Sequence, residues 1–188
     1  MRKGNLFVIS GPSGAGKGTL VSHLLKAVPD AWVSISATTR NPREGEIDGV
    51  HYYFKSEADF MELVEADGFL EWARYADNCY GTPRASVAEH LAAGDQVILE
   101  IDMQGAFQVR ERFPEAHLVF IEPPSMEELE RRLRARGTES DEVIEARLAT
   151  AKLELSHKME YDIRFVNDDV DQATAELVDY VNERAENQ

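Results

Sequence analysis

Apolar positions along the chain fall into two alternating patterns, short continuous runs and longer stretches spaced three or four apart. Leu6 to Ser10 is a continuous apolar run and predicts a buried strand. From Lys17, the residues Leu20, Val21, Leu24, Leu25 and Val28 keep helical spacing until Pro29 closes the helix. In "WVSISATTR", Val33, Ile35 and Ala37 alternate with Ser34 and Ser36, the pattern of one half-buried strand. Residues 40–58 are rich in turn formers. A short helix around Phe60 to Glu65 and strand pieces in "FLEWARY" and "CYG" complete an irregular block.

A regular rhythm then returns. Thr82 and Pro83 open a helix through Leu91 with Gly94 as its stop, and "QVILEID" is a buried strand. Met103 to Phe113 is a helix ended by Pro114, and "HLVFIE" is another strand. Ser125 and Glu128 form a capping box for a helix through Arg136. After "GTES" a helix runs to about Met159, "DIRFVN" is the last strand, and Ala173, Leu177, Val178 and Val181 mark the final helix. Strands alternating with helices predict an α/β fold, a mostly parallel sheet flanked by helices on both faces. No internal repeat or low-complexity segment interrupts it.

The 188 residues suit one domain, and 43% hydrophobic residues supply a core. The lone Cys79 has no partner for a disulfide within the chain, and it forms no metal-ligand spacing with the five histidines. The apolar run near the N-terminus is too short for a signal peptide, and no stretch reaches the length of a membrane span. A soluble cytoplasmic protein without a membrane partner is therefore expected. A net charge of -15 argues against a nucleic-acid partner, and makes any local arginine cluster a candidate anion site.

The candidate chemistry begins at "GPSGAGKGT", comprising Gly11, Pro12, Ser13, Gly14, Ala15, Gly16, Lys17, Gly18 and Thr19. It lies between the first strand and the first helix, the context that a phosphate-binding loop of the form G-x-x-x-x-G-K-S/T requires. Its backbone N–H groups and the helix N-terminus would cradle phosphates, and Lys17 would reach the outer ones. The residue after the lysine is Gly18, so the usual magnesium hydroxyl is missing; Thr19 lies about 100° further round the helix. It would contact an inner phosphate or a metal-bound water. The "GKGT" form resembles the loop of adenylate kinases and of nucleoside-monophosphate kinases generally.

Further motifs sharpen this. "TTRNPREGEIDGVHYYF", "FLEWA", "NCYGT", "LEIDMQGA", "EPPS", "RGTE" and "VNDD" follow one another over almost the whole chain. In that order they resemble the guanylate kinase family. The resemblance implies a P-loop nucleoside-monophosphate kinase fold. Residues 1–39 and 83–188 would be a core carrying a lid at about 132–147, and 40–82 an inserted GMP-binding lobe. It implies phosphoryl transfer from ATP, with Mg²⁺, to GMP and also dGMP.

Specific residues follow from the same resemblance. Arg40 and Arg43, joined by Tyr52 and Tyr80, would hold the GMP phosphate, and planar guanidinium forks suit that task. Two surface arginines answering Glu44 and Glu46 are the alternative. Glu71, set between apolar Leu70 and Trp72, would accept from guanine N1–H and N2–H₂. Ser36 and Thr82 would help read the base, unless they are a strand-face hydroxyl and a helix N-cap. Glu100 and Asp102, at a strand end, would line the GMP site or hold hydrated Mg²⁺. Arg132, Arg136 and Arg147 would close over the phosphates, although Glu127–Arg131, Glu128–Arg132 and Glu130–Arg134 also have the spacing of helix-surface pairs. Asn167 would lie near the ATP adenine. Two other readings remain open: a non-catalytic interaction module of similar fold, and a kinase for another phosphorylated acceptor.

Overall fold

In the computed structural model, residues 2–75, 77–135, 137 and 140–186 are described. Arg136, one of the three arginines expected over the phosphates, lies outside them.

The core is a parallel sheet in the order β2-β7-β1-β8-β9. Its strands are β1 (Asn5–Ser10), β2 (Ala31–Val33), β7 (Gln96–Glu100), β8 (His117–Glu122) and β9 (Ile163–Val166). β1 is central and every one of its residues is buried. Phe7 and Ile9 pack on one face against α1 (Lys17–Ala27) and α7 (Val170–Glu186). Leu6 and Val8 pack on the other with Val87 of α3 (Arg84–Ala93) and with Ala106 and Val109 of α4 (Met103–Arg112). A strand buried on both faces must be apolar throughout, so continuous runs rather than alternation marked β1, β7 and β8.

A second sheet, in the order β4-β3-β6-β5, contains β3 (Ala37–Thr38), β4 (Tyr53–Phe54), β5 (Phe69–Tyr75) and β6 (Asn78–Pro83). With α2 (Glu57–Glu65) it encloses a small apolar cluster of Ala37, Phe60, Phe69 and Cys79. The single strand expected through "WVSISATTR" is thus two strands. Val33 ends in the core sheet and Ala37 starts in the second, with Ser34 to Ser36 spanning the gap. Alternation reports burial on one face, which both sheets provide, and carries no record of the change of partner.

Other boundaries differ modestly. Thr82 and Pro83 belong to β6, and α3 begins at Arg84 with Pro83 at its N-cap. Gly94 ends α3 in the left-handed conformation, φ 92°. The long helix is α6 (Asp141–Ser156), followed by a 3-10 turn at Lys158–Glu160. α5 (Met126–Ala135) starts as expected, with Ser125 Oγ accepting from Glu128 N at 3.1 Å. The Glu128 carboxylate turns away to Arg131 and Arg132, so only half of the capping box forms, and the Glu127–Arg131 pair is replaced by Glu128–Arg131.

Candidate active site

The loop after β1 owes its shape to glycine. Gly11, Gly14 and Gly16 have φ of 138°, 92° and 94°, a region that residues with a Cβ rarely adopt. α1 begins at Lys17 with no side-chain cap and no acidic residue in its first turn, so its N-terminal N–H groups and positive dipole end face the loop. Lys17 Nζ donates to the carbonyls of Gly11 and Pro12. Ser13, Gly14, Gly16, Lys17, Gly18 and Thr19 line one cleft with Glu100. Glu100 projects over Gly18; a Cβ there would lie 3.6 Å from its carboxylate. Burial raises the Glu100 pKa, an effect opposed by Lys17. Glu100 therefore sits on the phosphate-loop side of the molecule.

Asn167 supports this loop from behind. Only 2% exposed, it donates from Nδ2 to Ala15 O at 2.8 Å, and a Cβ at Gly16 would lie 2.3 Å from the same nitrogen. Two arginines reach the region from distant segments. Arg132 bonds Glu128 at 2.8 Å and the Asn167 carbonyl at 3.0 Å, while Arg147 donates to Ser13 Oγ at 2.7 Å.

The second sheet carries a separate cluster of arginine and tyrosine side chains. Arg40 lies over the rings of Tyr52 and Phe54, 5.5 and 5.9 Å from their centroids, and Tyr52 and Tyr80 meet edge to face at 6.1 Å. Glu46 accepts from Arg40 Nη2 at 2.8 Å and from the backbone N–H of Arg43 at 2.7 Å. The Arg40 hydrogen bond, then that of Arg43, hold its carboxyl down at about 2. Of the two acids in the alternative reading of these arginines, Glu46 is the one that pairs with Arg40. Its role as the brace of this cluster was hidden, because an acid near two arginines reads as an ordinary surface pair. Arg43 itself is exposed.

Glu71 is the most unusual group of the region. A register shift between Phe69 and Glu71 marks a bulge in β5, and such bulges re-aim side chains. Phe69 enters the small cluster of the second sheet, Leu70 enters the main core, and Glu71 is left only 5% exposed. Thr82, directly opposite on β6, donates from its hydroxyl to Glu71 Oε1 at 2.6 Å. Thr82 is therefore a cross-strand partner of Glu71 and not a helix cap. The other carboxylate oxygen lies against Gly105, where a Cβ would approach it to 2.7 Å. Burial pushes the Glu71 pKa up to about 7, with Asp102 adding to the rise and Thr82 opposing it. Asp102 caps α4, accepting from Gly105 N at 2.9 Å. Ser36 lies half-buried in the link between the two sheets, its carbonyl accepting from Tyr53 N at 2.9 Å.

The glycine-shaped loop at the start of α1, the Arg40–Tyr52–Tyr80 cluster and the buried Glu71 are the features that the fold sets apart. A sequence profile of guanylate kinases matches residues 3–184. The chain belongs to the guanylate kinase family. A guanylate kinase of Synechococcus sp. is 54% identical over 175 residues, covering 93% of this chain and 92% of that protein. One from Streptomyces coelicolor is 55% identical over 177 residues, covering 94% and 90%. The crystal structure of guanylate kinase from Anaplasma phagocytophilum superposes with a TM-score of 0.79 at 33% identity, over 99% of this chain and 89% of that one. Membership makes the chain a nucleotide-binding kinase of P-loop nucleoside-monophosphate kinase fold. No helix among the described residues is long and apolar enough to cross a membrane.

Proposed function

We propose that the chain transfers the γ-phosphoryl group of ATP to the phosphate of GMP, and also to that of dGMP, giving ADP and GDP or dGDP. The observation that carries this reading is Glu71, a buried carboxylate with one oxygen bonded by Thr82 and the other facing Gly105. Guanine offers two adjacent donors, N1–H and N2–H₂, that an ionised carboxylate satisfies, and adenine offers a lone pair at N1. Ser36 and Asp102 complete the base site.

The remaining roles follow from charge. Arg40 and Arg43, with Tyr52 and Tyr80, hold the acceptor phosphate; Glu46 keeps Arg40 aimed. The loop Gly11–Thr19 binds the ATP phosphates through its N–H groups, and Lys17 exchanges its carbonyl partners for phosphate oxygens. An oxygen of the GMP phosphate attacks the γ-phosphorus as the bond to the β–γ bridging oxygen breaks, and that oxygen leaves on ADP. Lys17, Arg132, Arg136 and Arg147 stabilise charge on the moving group. The segment at about 132–147 is the lid that brings the arginines in, and 40–82 is the lobe that carries GMP.

Among the described residues no three acidic, histidine or cysteine side chains come together as a cation cage, while Glu100 and Thr19 both line the loop cleft. That donor set fits a hydrated Mg²⁺ carried by the ATP phosphates, with Glu100 and Thr19 holding its waters. When bound, Mg²⁺ neutralises phosphate charge.

A coupled ADP-release assay with GMP, dGMP, AMP, UMP and CMP tests the reading. Turnover with GMP and dGMP, and values of kcat/KM lower by about 10⁴-fold for the others, are expected. Absence of ADP release with GMP, or equal use of AMP, would overturn it.

A further inference from the structure

β5 is an outer strand of the second sheet, so the backbone groups on its free side need partners from elsewhere. Helix α4 of the core supplies them. Gln108 accepts from Trp72 N at 3.2 Å through Oε1 and donates to Trp72 O at 2.9 Å through Nε2. Its amide thus pairs with one residue as a neighbouring strand would. One turn further along, Arg112 donates to Phe69 O at 3.1 Å. Phe69 and Trp72 bracket the bulge that carries Glu71. One turn earlier, Gly105 is the surface against which the Glu71 carboxylate lies. Positions 105, 108 and 112 share one face of α4. One face of α4 therefore holds the backbone on both sides of Glu71, with Arg84 of α3 also donating to Phe69 O at 3.2 Å, and the carboxylate lies between that face and Thr82.

We propose that Gln108 is a positioning residue for base recognition. Its amide holds the Trp72 peptide in register, and that register aims Glu71 at the guanine edge. Gly105 leaves the space that this aim requires. The inference rests on the reading of Glu71 as the guanine reader. A helix amide that touches no substrate thus controls which purine the site accepts.

Inosine monophosphate is the appropriate probe. It keeps N1–H but lacks the amino group at C2, so the ratio of kcat/KM for GMP to that for IMP measures how well the carboxylate spans both donors. Gln108→Met preserves length and removes both hydrogen bonds. The ratio should fall about tenfold, with KM for ATP unchanged. In a Glu71→Gln background the same substitution should produce no further fall, because its effect passes through Glu71. A ratio held at the wild-type value while thermal stability or overall rate drops would overturn the proposal, as would an equal fall in both backgrounds. If Glu71→Gln alone leaves the ratio unchanged, the assignment of Glu71 is at fault and the proposal falls with it. Should Gln108→Met fail to fold, amide exchange in the wild-type protein decides. The Trp72 N–H should be strongly protected, and exchange at the rate of an unpaired edge amide would overturn the clamp.

Discussion

Replacing Glu71 by glutamine separates recognition from stability. In the wild-type protein this carboxyl is raised from 4.5 to about 7, chiefly by burial. At 1.36 kcal/mol per pH unit, ionising it in the folded protein costs about 3 kcal/mol relative to the unfolded chain. The folded state holds the proton that the unfolded state releases between 4.5 and 7. This contribution to stability is therefore fully present below 4.5 and is lost as pH rises through 7. Glutamine keeps a carbonyl oxygen for the Thr82 hydroxyl and carries no charge. Glu71→Gln should thus melt on the order of 5–10 °C higher than wild type at pH 8, with the gap shrinking toward pH 5. Activity should move the other way. An amide presents one acceptor where two donors of guanine need acceptance, so kcat/KM for GMP at pH 8 should fall by about 1.5–3 kcal/mol, with little change for AMP. Wild-type kcat/KM for GMP should rise about tenfold per pH unit below 7 as Glu71 ionises, and the variant should lack that limb. Calorimetry and initial rates from pH 5 to pH 9 measure both sides. An unchanged GMP to AMP ratio, or a variant no more stable than wild type at pH 8, would refute the reasoning.

Three further outcomes are expected. Lys17→Ala should lose about 3 kcal/mol or more of transition-state stabilisation while keeping its circular dichroism spectrum, and a folded variant with near-normal kcat would exclude Lys17 from the chemistry. Arg40→Ala and Arg43→Ala should each raise KM for GMP far more than for ATP, by the ~1.5–3 kcal/mol of a charged hydrogen bond; equal effects on both substrates would indicate a structural role. Thr19→Val should weaken ATP use only moderately and keep the response to Mg²⁺ in a metal titration, whereas complete loss of that response would make Thr19 a direct ligand.

The parts of the molecule legible in sequence were those whose physics is local or periodic. β1, β7 and β8 announced themselves as apolar runs because both of their faces are buried. The phosphate loop was legible because its function is a backbone shape, and that shape needs glycine at fixed steps. What escaped was pairing across long separations. Thr82 resembled a helix cap because its partner, Glu71, lies across a hairpin. Arg147 meets Ser13 from 134 residues away, and spacing along α6 gives no hint of it. Family resemblance, not periodicity, brought Arg147 into consideration. Gln108 gave no signal, since an amide on a helix is ordinarily a solvated side chain, and only the free edge of β5 gives it work.

The break between Val33 and Ala37 has an implication for engineering. The chain leaves the core sheet there and rejoins the core at helix α3, which starts at Arg84, and between those points it builds its own sheet around its own apolar cluster. The segment is a cassette with two chain junctions, docked on the 105–108–112 stripe of α4 and on α3 through Arg84 and Val87. A transplanted cassette must match both docking surfaces and the span between Val33 and Arg84 to sit in register. A segment built this way can be exchanged as a unit while the glycine loop after β1 stays untouched.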